Sequence, residues 1–233
     1  MIKELQLDGF KLSYTSEGEG SDVLLLHGFP SNMFFWNNIK NDLLSNYRVT
    51  VVEQRGYPLS SLENAKKTDF NIEFLSKDIE YLIDVLNLNR NLIILGHDWG
   101  SIVAWAIVSR GYVDIKKMIS ISGGTEFPPS EIYKKLIFKK GNHYITSFQE
   151  PYSSNFAISK NLDLFFRSAY RVTPNLDREL LDLSLNNLFN SYNSPTKVHD
   201  INIEELATHF KKGLVQPISW YSNIDLNISL ASK

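Results

Sequence analysis

The sequence predicts an α/β protein with a mostly parallel sheet of about six strands, followed by an all-helical segment. Three observations carry this reading. Apolar-rich runs at 23–26, 49–52, 92–95 and 118–121 have the character of strands buried on both faces. Segments of helical periodicity lie between them, the alternation of a parallel sheet covered by helices. The strand pattern then stops after Ser122, where Gly123, Gly124, Pro128 and Pro129 break it within a few residues.

The elements follow in order. Residues 2–7 and 10–15 alternate apolar and polar side chains around Asp8-Gly9, which reads as a β-hairpin. Val23 to Leu26 is a strand that ends in His27-Gly28. Trp36, Ile39 and Leu43, with Leu44, recur at helical spacing, and Val49 to Val52 is the next strand. Ile72, Leu75, Ile79, Leu82, Ile83 and Leu86 form the clearest amphipathic stripe, with Asp69 and Asn71 as candidate caps. Leu92 to Leu95 is a strand, Ser101 to Arg110 is permissive for helix, and Met118 to Ile121 is a further strand. Beyond residue 130 only helical stripes and loops are expected. Leu162, Phe165, Phe166 and Ala169 make one stripe; Leu176, Leu180, Leu183 and Leu188 make a second; Ile203, Leu206 and Phe210 make a third. Residues 191–200 read as a polar loop. The expected division is an α/β core over 1–127 and a helical domain over 128–233.

Composition narrows the class. A compact chain of 233 residues buries roughly 70–75% of its extended-chain surface and needs no covalent staples. It has no cysteine, which excludes disulfides and thiolate metal sites. A formal charge of −2 supplies no basic field for nucleic acid or an anionic membrane. Hydrophobic residues at 43% and aromatics at 12% are too many for a disordered chain. The N-terminus lacks a signal-peptide run, and no apolar stretch is long enough to span a bilayer. A soluble, cytoplasmic globular protein is expected.

The chemistry concentrates at Leu95-Gly96-His97-Asp98-Trp99-Gly100, where a buried strand meets a helix. A nucleophile at such a turn has a strained backbone, and the flanking Gly96 and Gly100 leave room for the neighbouring strand and helix. The helix N-terminus favours an anion there. Serine is the usual occupant, but here it is Asp98. A carboxylate needs no general base to become nucleophilic at pH 7, and it attacks carbon to leave an alkyl ester on the enzyme. A Gly-rich turn with a capping Asp is the plain alternative. His27-Gly28-Phe29-Pro30 weighs against it, because it follows the first buried strand where an oxyanion hole's second donor is expected. The backbone N–H groups of Phe29 and Trp99 are then the donors aimed at Asp98.

On these motifs the chain resembles the α/β-hydrolase superfamily, and within it the epoxide hydrolases. His27-Gly28-Phe29-Pro30 is similar to that group's oxyanion motif, and Gly96-His97-Asp98-Trp99-Gly100 to its nucleophile motif. Glu53-Gln54-Arg55-Gly56-Tyr57-Pro58 stands at the usual Asp-x-Arg-Gly-x-Gly turn, with Glu for Asp and Pro for the last Gly. The resemblance implies that the helical segment is a cap, and that about six of the fold's eight core strands are present. No cofactor or metal is implied; the implied substrate is a small apolar epoxide.

Haloalkane dehalogenases share the aspartate elbow, so the elbow alone leaves the leaving group open. An epoxide expels an alkoxide, which needs an acid, whereas chloride needs none. Tyrosine can donate to an alkoxide and stay protonated at neutral pH. The resemblance assigns this role to two cap tyrosines, and their contexts match Tyr144, before Phe148-Gln149-Glu150-Pro151, and Tyr221 in Trp220-Tyr221-Ser222-Asn223. Trp99 either lines the substrate slot or closes the core.

Hydrolysis of an Asp98 ester also needs a base, which in the family is a histidine after the last core strand, oriented by an acid. The histidines here are His27, His97, His143, His199 and His209. None follows position 209, and the chain ends shortly after Tyr221, so this part of the family pattern is expected to be absent. His209 reads as a packing residue, and Glu126 has no histidine to orient. The strand at Met118 to Ile121 would then be an apolar sheet edge open to self-association. Two classes stay open: an impaired epoxide hydrolase-like enzyme, and a non-catalytic hydrolase-fold protein that binds a small ligand or a partner.

Overall fold

In the computed structural model, which describes residues 1–124, 144–170 and 201–231, six strands form one sheet. They are β1 (Lys3–Leu7), β2 (Phe10–Glu17), β3 (Ser21–Leu26), β4 (Tyr47–Glu53), β5 (Ile93–His97) and β6 (Lys117–Ile121). Their order across the sheet is β1-β2-β4-β3-β5-β6. β1 and β2 form the expected hairpin, closing on Leu7 opposite Phe10, and β2 runs antiparallel to β4. β4, β3, β5 and β6 are mutually parallel, with Leu25 of β3 level with Val51 and Leu95. This is the mostly parallel sheet that the alternation of strands and helices predicts.

Central β3 explains why its sequence is uninterrupted: Leu24, Leu25 and Leu26 are fully buried and Val23 nearly so, on both faces. On one face Val23, Leu25, Val49 and Val51 pack with Met33 and Trp36 into a single cluster. At the other extreme, β6 pairs only with β5 among the described residues, and its Ile119 and Ile121 are 46% and 39% exposed.

Three helices accompany these strands: α1 (Asn37–Leu43), α2 (Ile72–Val85) and α3 (Trp99–Arg110). The stripe expected from Trp36 through Leu44 is only partly real. Trp36 is buried, but it closes a 3₁₀ turn, Met33–Trp36, and Ile39 is exposed. The change from three to 3.6 residues per turn rotates Ile39 off the face that Trp36 occupies. α2 is as expected. Asn71 caps it, its side-chain oxygen accepting from Glu73 N at 2.9 Å and Phe74 N at 3.1 Å. Ile72, Leu75, Ile79, Leu82 and Ile83 face inward. After β4, Arg55 pairs with Asp78 of α2 through two hydrogen bonds of 2.5 and 2.7 Å, and its guanidinium lies over Phe10 and Phe74.

The described residues fall into two compact units, 1–124 with 223–231, and 144–170 with 201–222. The second is helical, with helices Tyr144–Ser147, Pro151–Ser159, Leu162–Ala169, Ile203–His209 and Val215–Ser219. Two of the expected stripes are its core: Phe165 and Phe166 are buried, as are Ile203, Leu206 and Phe210, and the Phe166 and Phe210 rings stand 5.4 Å apart. The stripe of Leu176 to Leu188, the loop at 191–200, Glu126, His143 and His199 lie outside the described residues.

One boundary is corrected. The helix Ile224–Ala231 belongs with the α/β unit and not with the helical one. The reason is a pair of buried amides. Asn227 Oδ1 accepts from Ile72 N at 2.8 Å, and Asn223 Nδ2 donates to Lys67 O at 2.7 Å, so this segment satisfies one backbone group at the start of α2 and one in the 3₁₀ turn, Lys67–Phe70, before it.

Candidate active site

β5 ends at His97 and α3 begins at Trp99, so the entire reversal of the chain falls on Asp98. Its φ of 53° and ψ of −120° lie in a region that L-residues rarely occupy, at a cost on the order of 1–3 kcal/mol. Contacts on both sides hold it there. Asp98 N donates to Ile121 O of β6 at 2.9 Å, and Asp98 O accepts from Ser101 N at 2.9 Å. The turn leaves no space beside it. A Cβ on Gly96 would run into the carbonyl of Gly100, and one on Gly28 would sit 2.5 Å from the Asp98 side chain.

Phe29 N donates to Asp98 Oδ1 at 2.8 Å, and the backbone N–H of Trp99 also bonds to the carboxylate. These are the two donors the motifs single out, brought to one carboxylate from the loop after β3 and the start of α3. The Asp98 side chain is half-buried. Burial pushes its pKa up to about 6, against the opposing pull of the two N–H groups. At neutral pH the group is therefore largely ionised but poorly solvated. Such a carboxylate can attack an electrophilic carbon, and the same two N–H groups can receive the oxyanion of a later ester hydrolysis.

The other motif residues serve the frame. His27 is fully buried; its Nδ1 lies 3.2 Å from Gly28 O, and its Nε2 accepts from Gln54 N at 3.1 Å. Gln54 Nε2 in turn donates to His27 O, and Glu53 Oε2 accepts from Met33 N at 2.9 Å. These bonds fix the loop that presents Phe29, whose peptide to Pro30 is cis. His97 is half-buried, stacks on Phe35 at 5.0 Å, and has its pKa lowered by burial. Trp99 is 3% exposed, which places it in the packed interior.

In the helical unit, the rings of Tyr144 and Tyr221 stand 5.8 Å apart, edge to face, with Phe148 against both. Gln149 Nε2 donates to Tyr221 O at 3.0 Å, which locks the segment carrying that ring. His209 sits at the end of its helix with its ring against Phe210. Sequence reasoning missed Ser101, whose hydroxyl donates to Gly96 O at 2.5 Å under the elbow. The available signal was a small polar residue in the first turn of a helix whose following positions are apolar. Among the described residues, no group of three or more His, Asp or Glu could hold a metal ion, and no helix is long and apolar enough to cross a membrane.

A parallel-centred sheet in this order, with a carboxylate on a strained strand-to-helix turn and two amides aimed at it, defines an α/β protein with a strand–elbow–helix site. The chain belongs to the alpha/beta hydrolase fold family, whose model matches residues 23–230. It is 29% identical over 231 residues to bifunctional epoxide hydrolase 2 of Sus scrofa, covering 94% of this chain and 41% of that one. It is 30% identical over 120 residues to a cis-3-alkyl-4-alkyloxetan-2-one decarboxylase of Shewanella oneidensis, covering 52% of this chain and 38% of that one. The chain thus spans about two-fifths of the length of these curated relatives. Among solved structures, an epoxide hydrolase from Vigna radiata matches with a TM-score of 0.78 at 25% identity, covering all of this chain and 74% of that one.

The raised Asp98 pKa has a consequence for stability. A carboxyl raised from its unfolded value near 4 to about 6 binds its proton more tightly in the folded state. Folding is then favoured below pH 4, and that advantage is lost as pH rises through 6. Two pKa units correspond to ~3 kcal/mol; a half-buried group retains some solvent screening, so about 2 kcal/mol is expected. Asp98→Asn should therefore stabilise the chain by about 2 kcal/mol at pH 8 and by little at pH 4. Urea unfolding at the two pH values measures this, and equal effects at both would contradict the desolvated-carboxylate account.

Proposed function

We propose that the chain is an epoxide hydrolase-like hydrolase in which Asp98 is the nucleophile. The single observation that carries this is the Asp98 carboxylate on the elbow, bonded to two backbone N–H groups. A carboxylate oxygen attacks an epoxide carbon, a C–O ester bond forms, and the carbon–oxygen bond of the strained ring breaks. The electron pair goes to the leaving oxygen, which takes a proton from a tyrosine hydroxyl; the phenolate is reprotonated from water. Water then adds to the ester carbonyl, releasing the diol and the Asp98 carboxylate. Tyr144 and Tyr221 are assigned as the proton donors. Their matching flanks and their adjacent rings support this.

The substrate on this reading is a small, mainly apolar epoxide, and the helical segment acts as a cap. The slow step is the second one. Of the described histidines, His27 is committed to Gln54 and Gly28, His97 to a stack on Phe35, and His209 to Phe210. None of these contacts is that of a base for the hydrolytic water. The ester is expected to accumulate.

A pre-steady-state assay with intact-mass detection tests the covalent step. The expected result is one alkyl adduct on the peptide spanning Gly96 to Gly100, followed by slow release of diol. A label on a serine overturns the aspartate mechanism, and sustained turnover would show that a base is present. A second test concerns the tyrosines. The double change Tyr144→Phe and Tyr221→Phe should slow epoxide opening by roughly 10²–10⁴ and leave displacement from an alkyl bromide nearly unchanged. Equal losses on both substrates would mean that the rings only shape the pocket and that the leaving group does not need them.

We also infer that the edge of β6 pairs with a second copy of the chain. Support comes from its place at the end of the sheet among the described residues and from its two exposed isoleucines. Ile119→Lys should lower the apparent mass in sedimentation velocity at high concentration. A monomer before and after the change would refute the pairing.

A further inference from the structure

We propose that Ser101 is a positioning residue for the nucleophile, its hydroxyl tying the elbow to the end of β6 and so setting the attack geometry of Asp98. This rests on the reading of Asp98 as the nucleophile. Ser101 is fully buried in the first turn of α3. Its hydroxyl donates to Gly96 O at 2.5 Å, bridging the turn from behind, and accepts from Ile121 N at 3.2 Å. Ile121 O, in turn, accepts the N–H of Asp98 at 2.9 Å. The result is a closed circuit: Asp98 to Ile121, Ile121 to Ser101, Ser101 to Gly96, and Gly96 back along the chain to Asp98.

The circuit matters because of where β6 lies. An interior strand is located by ladders on both sides and by packing on both faces. β6 has one ladder among the described residues, and its side chains are largely exposed. Little else fixes the height of Ile121 O beneath the nucleophile's amide. The backbone that leaves β6 closes down on the same serine. A Cβ on Gly123 would run into Ser101 Cβ and stand 2.8 Å from Asp98 O, while Ser122 has a φ of 53°. The strand end is shaped to hold this hydroxyl.

A relaxed elbow would still fold but would aim the carboxylate poorly. Misplacement of a reacting group by about 1 Å can cost on the order of 10²-fold in rate. The experiment uses the full chain and styrene oxide as probe, following alkylation of Asp98 by intact mass. The saturating rate and the half-saturating concentration are compared for the unsubstituted chain, Ser101→Ala and Ser101→Cys, each corrected for the folded fraction from a thermal melt. Ser101→Ala should lower the saturating rate by roughly 10–100-fold with the half-saturating concentration within about twofold. Ser101→Cys, whose thiol is a weak donor and acceptor, should fall between. If the alanine chain does not fold, the cysteine chain carries the comparison. A lower melting temperature with an unchanged saturating rate would make Ser101 merely structural and overturn the proposal. No adduct on the unsubstituted chain would overturn the nucleophile reading and this inference with it.

Discussion

The α/β unit is organised around one costly backbone conformation, that of Asp98. Its dihedral angles are unfavourable for any residue with a side chain, so the surroundings must over-determine them. Three elements contribute. β6 accepts the amide, the first turn of α3 donates to the carbonyl, and the loop after β3 donates to the carboxylate. The loop is itself held by something buried: β3 by the leucines at the middle of the sheet, and the turn after it by the bonds among His27, Gln54 and Gly28. Desolvating the carboxylate is a second cost, visible in its raised pKa, and the same two amides offset part of it. The strain and the electrostatics therefore share one set of supports.

That sharing explains which parts were legible in the sequence. β3 and the elbow could be read because their constraints are local. A strand buried on both faces leaves an unbroken apolar run, and a turn without room for side chains leaves glycines at fixed offsets. Phe29 was legible for the same reason, through its motif. Ser101 was not. Its partners are five residues behind and twenty ahead, and a serine near a helix start reads equally well as a solvated polar position. The Trp36 stripe failed differently: the periodicity was right for a helix, but the first turn is 3₁₀ and the register changes at Asn37. The boundary at 128–233 failed because Asn227 contributes through a backbone partner 155 residues away, which no window reveals.

The buried polar residues outside the elbow follow the same logic. Glu53 and Gln54, at the end of β4, both bond to backbone, Glu53 to Met33 and Gln54 to His27. Arg55 turns the other way and pairs with Asp78 between two phenylalanine rings. Burial raises the Asp78 carboxyl while the guanidinium opposes the rise, so the pair is held by its geometry and its two hydrogen bonds more than by net charge attraction. One tripeptide thus fastens the loop that presents Phe29 to Asp98 and the face of α2.

The bond of Asn227 to the start of α2 also sets an order of events during synthesis. Hairpin, central strands and elbow all come from the first half of the chain and can pair as they emerge. The amide of Ile72 waits for a residue 155 positions later. The entropy of closing a loop grows with its length, and it is met before any packing rewards it. A ribosome-bound intermediate would therefore carry a formed sheet with the first turn of α2 lacking this partner, and protection of the Ile72 amide from hydrogen exchange would come last.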